Sequence, residues 1–379
     1  MSPAPSSPAG TPVRVQLRGP LGAEFAGFVE AVDAGYYDAV GLDVELVPAT
    51  ASTDPVALGS ASDGPEFVVA WLPAVLERRG AGKSDLIDIG QVFQRSGTLS
   101  IALVAAEVTR PTDLKDHRVG ILDNGDGLEV VAGMRAAGLR PDADVTLVTQ
   151  TGELDGPIPR SLDVAQASIY DGFARVLESR APKGGLYQPN DLDVINWNDH
   201  GTAMLQDAVF ARAAWLDSAA NEAVALRFLR ASFRGWIRCQ EAPADCVQAM
   251  LAAESGAGPT GPDASPGTSA PSAGTAAGSV APRVSARPGA TAGAGHLAWG
   301  LNEVNPLIWP APAGIGVMDP DRWQHTVEVC LAAGIIPAAP GDGAYRTDLA
   351  AAALADLSDL DTTGSSFVKG SVDITPGGE

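Results

Sequence analysis

The sequence predicts an α/β protein of two lobes, built on mixed, mostly parallel sheets. Two observations from the residues carry the class. Short apolar strand segments alternate with helical stretches from Val13 onward, the pattern of parallel sheets covered on both faces. The opening is β-loop-α-β, with a strand at 13–17, a helix at 25–34 and a strand at 43–48. Such a unit sets a glycine loop and a helix start at the sheet edge where small ligands dock. The length, 379 residues at 45% apolar content, is enough for two compact lobes.

The elements follow in order. Residues 1–12 read as a flexible leader. The first unit, 13–106, adds strands at 66–70, 87–93 and 99–105 and a helix at 72–79. The second unit, 107–199, opens with Thr112 or Asp113 as a helix cap. It carries strands at 118–122, 145–149, 165–170 and 193–197, and helices at 128–137 and 171–178. Residues 200–360 are mainly helical. Val224, Phe228, Leu229, Phe233, Trp236 and Ile237 recur at helical spacing. The stretch 254–294 is nearly all Gly, Ala, Ser, Pro and Thr, so it is expected to be a disordered insert. Residues 361–379 form a tail.

Charge narrows the function. Lys and Arg total 25 against 46 Asp and Glu, a net charge of −21. That argues against nucleic acid and anionic membranes as partners, since both need clustered cations. No apolar run is long enough for a membrane span. The first ten residues lack the features of a secretory signal. That leaves a cytoplasmic chain or an exported one whose signal was removed. Cys239 and Cys246 flank a proline-containing turn and stand either as a local disulfide or as two thiols. No zinc spacing, catalytic triad or P-loop is present.

Several segments carry a family resemblance. The run 25–48, with Gly35-Tyr36-Tyr37 and Gly41-Leu42-Asp43-Val44, resembles the opening of the importer substrate-binding proteins grouped with the thiamine-pyrimidine synthases. So do Ile89 to Gly97, Asp113 to Gly120, Gly201 to Asp207, Phe228 to Trp236 and Asn302 to Pro310, in that group's order. The resemblance implies a type II periplasmic-binding-protein fold, two lobes joined by two crossings. It also implies a substrate-binding component of an ABC importer, a permease partner, an extracytoplasmic place and a monomer. The expected ligand is a small planar heterocycle like a thiamine pyrimidine precursor. A small sulfonate or nitrate-type anion is the alternative. A second alternative is a pyridoxal-phosphate enzyme of the synthase type. That group's lysine and histidine would fall near Val69 to Pro73, where this chain has neither. No cofactor is expected.

Cleft positions in such a fold lie at strand ends. Phe25 and Phe28 stand as ring contacts or lobe core, and Trp71 as a ligand-facing indole or, second, as core. Gln94, Arg95 and Ser96 form a polar turn, with Arg95 either pairing an anion or bridging the hinge. Asn124, Gly125, Asp126 and Gly127 precede a helix start whose N–H groups suit an anion or carbonyl. Tyr170 ends a buried strand. Trp197, Asn198 and Asp199 sit at the return crossing, Asp199 as amine acceptor or helix cap. Glu303 and Trp309 read as structural.

Overall fold

The computed structural model describes residues 10–50, 52–123, 125–256 and 292–379. Among the described residues, ten strands form two five-stranded sheets. The first has the order β2-β1-β3-β10-β4, from β1 (Thr11–Gln16), β2 (Leu42–Val47), β3 (Phe67–Trp71), β4 (Leu86–Gln91) and β10 (Asp207–Arg212). The second has the order β7-β6-β8-β5-β9, from β5 (Thr98–Leu103), β6 (Arg118–Leu122), β7 (Thr146–Gln150), β8 (Val164–Ser168) and β9 (Leu192–Asn196). In each sheet one strand, β10 or β5, runs against the other four.

Burial follows position. β3, β8 and β10 are buried along their whole length, as strands covered on both faces must be. The edge strand β2 alternates buried and exposed residues, leaving Asp43 and Glu45 in solvent. Helix starts are written into the sequence. Asp54 caps the helix Pro55–Ser60, and Asp319 caps Pro320–Ala332, each before a proline that needs no N–H partner.

The first lobe's core is aromatic. The Phe228 ring stacks 4.3 Å from Phe67 and 5.4 Å from Tyr37. The helices Ala26–Asp33 and Ala219–Glu241 cross closely through Gly27 and Gly235. A methyl group on Gly235 would lie 2.0 Å from the Gly27 carbonyl oxygen, and one on Gly27 would meet the Trp236 ring at 2.2 Å.

Several expectations are corrected. Thr11 and Pro12 are not leader; they pair with Leu42 and Asp43 in β1. The strand at 98–103 does not belong with the first unit. Its buried residues insert antiparallel between β8 and β9 of the second sheet. β10 was not expected as a strand; its short apolar run reads equally as helix. The insert is bounded more tightly than 254–294. Glu254 is buried at the end of the helix Pro243–Glu254, and Ala294 begins the helix Ala294–Ile308. Residues 1–9 and 257–291 lie outside the described residues. Cys239 and Cys246 are joined as a disulfide.

The chain crosses between sheets twice, after β4 and before β10, and the crossings are stitched together. Gln206 accepts from the Gly97 amide at 2.8 Å and donates to Thr98 Oγ1 at 2.7 Å. Gln91 donates to the Gln206 carbonyl at 3.1 Å.

Candidate functional site

A cavity of about 450 Å³ lies between the lobes, within the range of small-molecule sites. The first sheet supplies Arg18 to Leu21 after β1, Ala49 and Thr50 after β2, and Trp71 at the end of β3. The second supplies Asp123 and Asp126 after β6, Thr151 to Asp155 after β7, and Asp171 after β8. All are carboxyl-end positions, where open α/β sheets place ligands.

Arg18 stands at the centre and ties the lobes. Its Nε donates to Asp207 Oδ1 at 2.6 Å, its Nη2 to the Tyr170 hydroxyl at 2.6 Å, and its Nη1 to Asp126 Oδ2 at 3.4 Å. Glu24 approaches at 3.7 Å. The guanidinium lies 4.7 Å from the centre of the Trp71 ring and 5.8 Å from that of Phe25, a cation–π arrangement. Trp71 Nε1 donates to Asp207 Oδ2 at 3.1 Å.

The lining is acidic. Among the described lining residues the acids are Glu24, Asp123, Asp126, Glu153, Asp155 and Asp171, and the basic residues are Arg18 and Arg175. Burial pushes Glu24 up to about 8, against the pull of Arg18. Burial likewise lifts Asp126 to about 7 and Glu153 to about 7. Glu153 accepts from the Ser168 amide and hydroxyl. At the back, His296 on the helix Ala294–Ile308 is held by second-lobe carboxylates. It lies 3.1 Å from Asp171 and 3.0 Å from Glu178. Burial works against its charge, yet those bonds prevail and raise it to about 9.

Of the expected site residues, Trp71 lines the cavity. Phe25 and Tyr170 are buried beside it, touching Arg18 from behind. Phe28 packs in the core, edge-on to Trp236 at 5.9 Å. Trp197 is wholly buried and donates to Ser100. The polar turn serves the crossings and not the cavity. Gln94 donates to the Gln91 and Val317 carbonyls, and Ser96 to Glu129. Arg95 caps the end of the helix Ala294–Ile308 through the carbonyls of Pro306, Trp309 and Pro310. Asn198 donates to the Ser96 carbonyl, and Asp199 is exposed. Gly125, at φ +91°, packs against Ala74. Asn124 lies outside the described residues. Glu303 pairs with Lys369 at 2.6 Å, and Trp309 is buried. Sequence reasoning missed Arg18, Glu24, Glu153 and Asp207, and read the turn that carries Asp126 for its N–H groups and not for its carboxylate. The Arg18-Gly19-Pro20 turn after the first strand was the available signal.

The family model described as NMT1/THI5 like matches residues 22–246. The chain belongs to the NMT1/THI5-like family. No curated protein sequence matches this NMT1/THI5-like chain significantly. Among solved structures, a protein of Bordetella bronchiseptica RB50 is similar at TM-score 0.61 and 14% identity, over 92% of this chain and 99% of its own. The putative periplasmic sulfonate-binding protein SsuA of Methylobacillus flagellatus KT is similar at 0.54 and 13%, over 97% and 99%. The desulfurization enzyme DSZB is similar at 0.51 and 10%, over 92% and 99%. At these identities the likeness establishes the fold, the two-lobe periplasmic-binding-protein architecture, which hosts both binders and an enzyme.

Proposed function

We propose that this NMT1/THI5-like protein is the substrate-binding component of an ABC importer. It takes a small planar nitrogen heterocycle into the interlobe cavity and works outside the cytoplasm with a membrane permease. The observation that carries the reading is a small-molecule cavity walled by both lobes at their strand ends, with the Trp71 indole in its wall. Closure about the two crossings would bury a ligand without chemistry. The lining, among the described residues, holds no lysine, histidine, cysteine or serine. The four lysines, Lys83, Lys115, Lys183 and Lys369, are all exposed. That speaks against a pyridoxal-phosphate Schiff base in the cavity. The Cys239–Cys246 disulfide supports an oxidising compartment.

A thermal-shift screen tests the reading. An aminopyrimidine at about a hundred times its Kd should stabilise the fold by about 2.7 kcal/mol. If neither pyrimidines nor alkylsulfonates raise Tm, and small-angle scattering shows no compaction with either, the binder reading fails.

A further inference from the structure

Arg18 is the residue an anion would need, and it is already engaged. Its three nitrogens point at Asp207, Tyr170 and Asp126. Its face covers Trp71. Arg175, the other lining cation, donates to Asp171 at 3.1 Å. Asp207 and Asp171 take the guanidinium groups at 2.6 and 3.1 Å, Asp126 and Glu24 meet Arg18 only at the longer distances of 3.4 and 3.7 Å, and Glu153 and Asp155 complete the acidic wall. Glu24 points the same way independently. Its side chain is 8% exposed, and Oε2 has no hydrogen-bond partner. A buried carboxylate oxygen left without a donor costs on the order of 1–3 kcal/mol, which a ligand N–H would relieve.

We propose that the cavity is built for a cation, a protonated nitrogen base whose amidinium or ammonium group meets Glu24 and Asp126 across the two lobes. This rests on the reading of the cavity as the ligand site. Glu24 comes from the first lobe and Asp126 from the second, and Arg18 holds both in place. A planar amidinium has the donors to serve two carboxylates at once. The net charge of −21 draws cations toward the chain. The raised Glu24, Asp126 and Glu153 give the event a signature. Burial raises the proton affinity of all three carboxyls, and an arriving cation drives out the protons they hold.

The test uses the full chain and three probes of one shape. Benzamidine is a cation, benzamide is neutral and benzenesulfonate is an anion at pH 7.5. Calorimetry should find benzamidine bound at least tenfold more tightly than benzamide, and benzenesulfonate weakest. Repeating the titration in buffers of different ionisation enthalpy should show proton release with benzamidine alone. Asp126→Asn should weaken benzamidine at least tenfold and benzamide much less, with a circular dichroism spectrum matching wild type showing that the variant is folded. Benzenesulfonate binding more tightly than benzamidine, in competition with the aminopyrimidine, would overturn the charge assignment and keep the cavity as the site. Failure of benzamidine where an uncharged pyrimidine binds would overturn it too. Failure of all of them would bring down the binder reading itself.

Discussion

Replacing Arg18 with methionine tests the hub of the site. Arg18→Met keeps much of the stem and removes the charge. Asp207, whose side chain is 2% exposed, loses the guanidinium 2.6 Å away and keeps only the Trp71 N–H. Removing one partner of a buried ion pair costs about 3–5 kcal/mol, because the other charge stays buried and uncompensated. At about 2.1 cal/mol/K per residue, a chain of 379 residues unfolds with an entropy of roughly 0.8 kcal/mol/K. The cost therefore lowers Tm by roughly 4–6 °C. Asp207→Asn in the same chain removes the stranded charge and should return about 2 kcal/mol or more. Differential scanning calorimetry of wild type, both singles and the double closes the cycle. A single variant melting within about 1 °C of wild type would refute the hub, as would a double variant no more stable than Arg18→Met.

Three further outcomes are expected. Asp88, with one buried oxygen unpartnered, is pushed up to about 8 by burial, as are Glu24 and Glu129. Unfolded carboxyls titrate near 4, so the fold binds the extra protons, and this stability is full below about 4 and lost as pH rises through 8. His296 adds the same sign between about 6.5 and 9. Tm should fall from pH 5.5 to 9, Asp88→Asn should flatten the lower part of that fall and His296→Gln the upper; a Tm that rises with pH contradicts the assignment. Replacing both Cys239 and Cys246 with serine opens a loop of sequence separation 7, worth about 2.4 kcal/mol by loop-closure entropy; denaturant midpoints unchanged by the substitution would count against it. Gly235→Ala drives a methyl group into the Gly27 carbonyl and should cost about 1–3 kcal/mol, read from the same melts; an unaffected Tm would show the helices can part there.

The fold was largely legible because its signals are local. The strand at β2 and the apolar spacing from Val224 to Ile237 each lie within a few turns of chain. The strand at 98–103 was misplaced because pairing partners, not composition, decide which sheet takes it. The site was less legible for the same reason. Arg18 meets Asp207 across 189 positions and Tyr170 across 152, and no local pattern announces such a pair. Polar turns such as Gln94 to Ser96 look like ligand contacts in sequence. Their hydrogen bonds turn out to satisfy the crossings, because a buried crossing must find partners for its own backbone.

The distribution of charge between the lobes bears on closure as well as on recognition. Glu24 sits on the first lobe, and Asp126, Glu153 and Asp155 on the second. As the cleft narrows these carboxyls either keep protons or, where ionised, repel one another, and both effects grow as water leaves. Arg18 offsets part of that repulsion, and so does His296 beside Asp171 at the rear. A ligand shifts the balance between open and closed forms only by binding one better than the other. A cation meets carboxylates of both lobes together only when the cleft is closed. It offsets there the cost of ionised carboxylates facing one another, which a neutral ring would not. An anion would add to that repulsion and favour the open form. On the proposed reading, the wall that selects the charge of the ligand would also couple its arrival to closure.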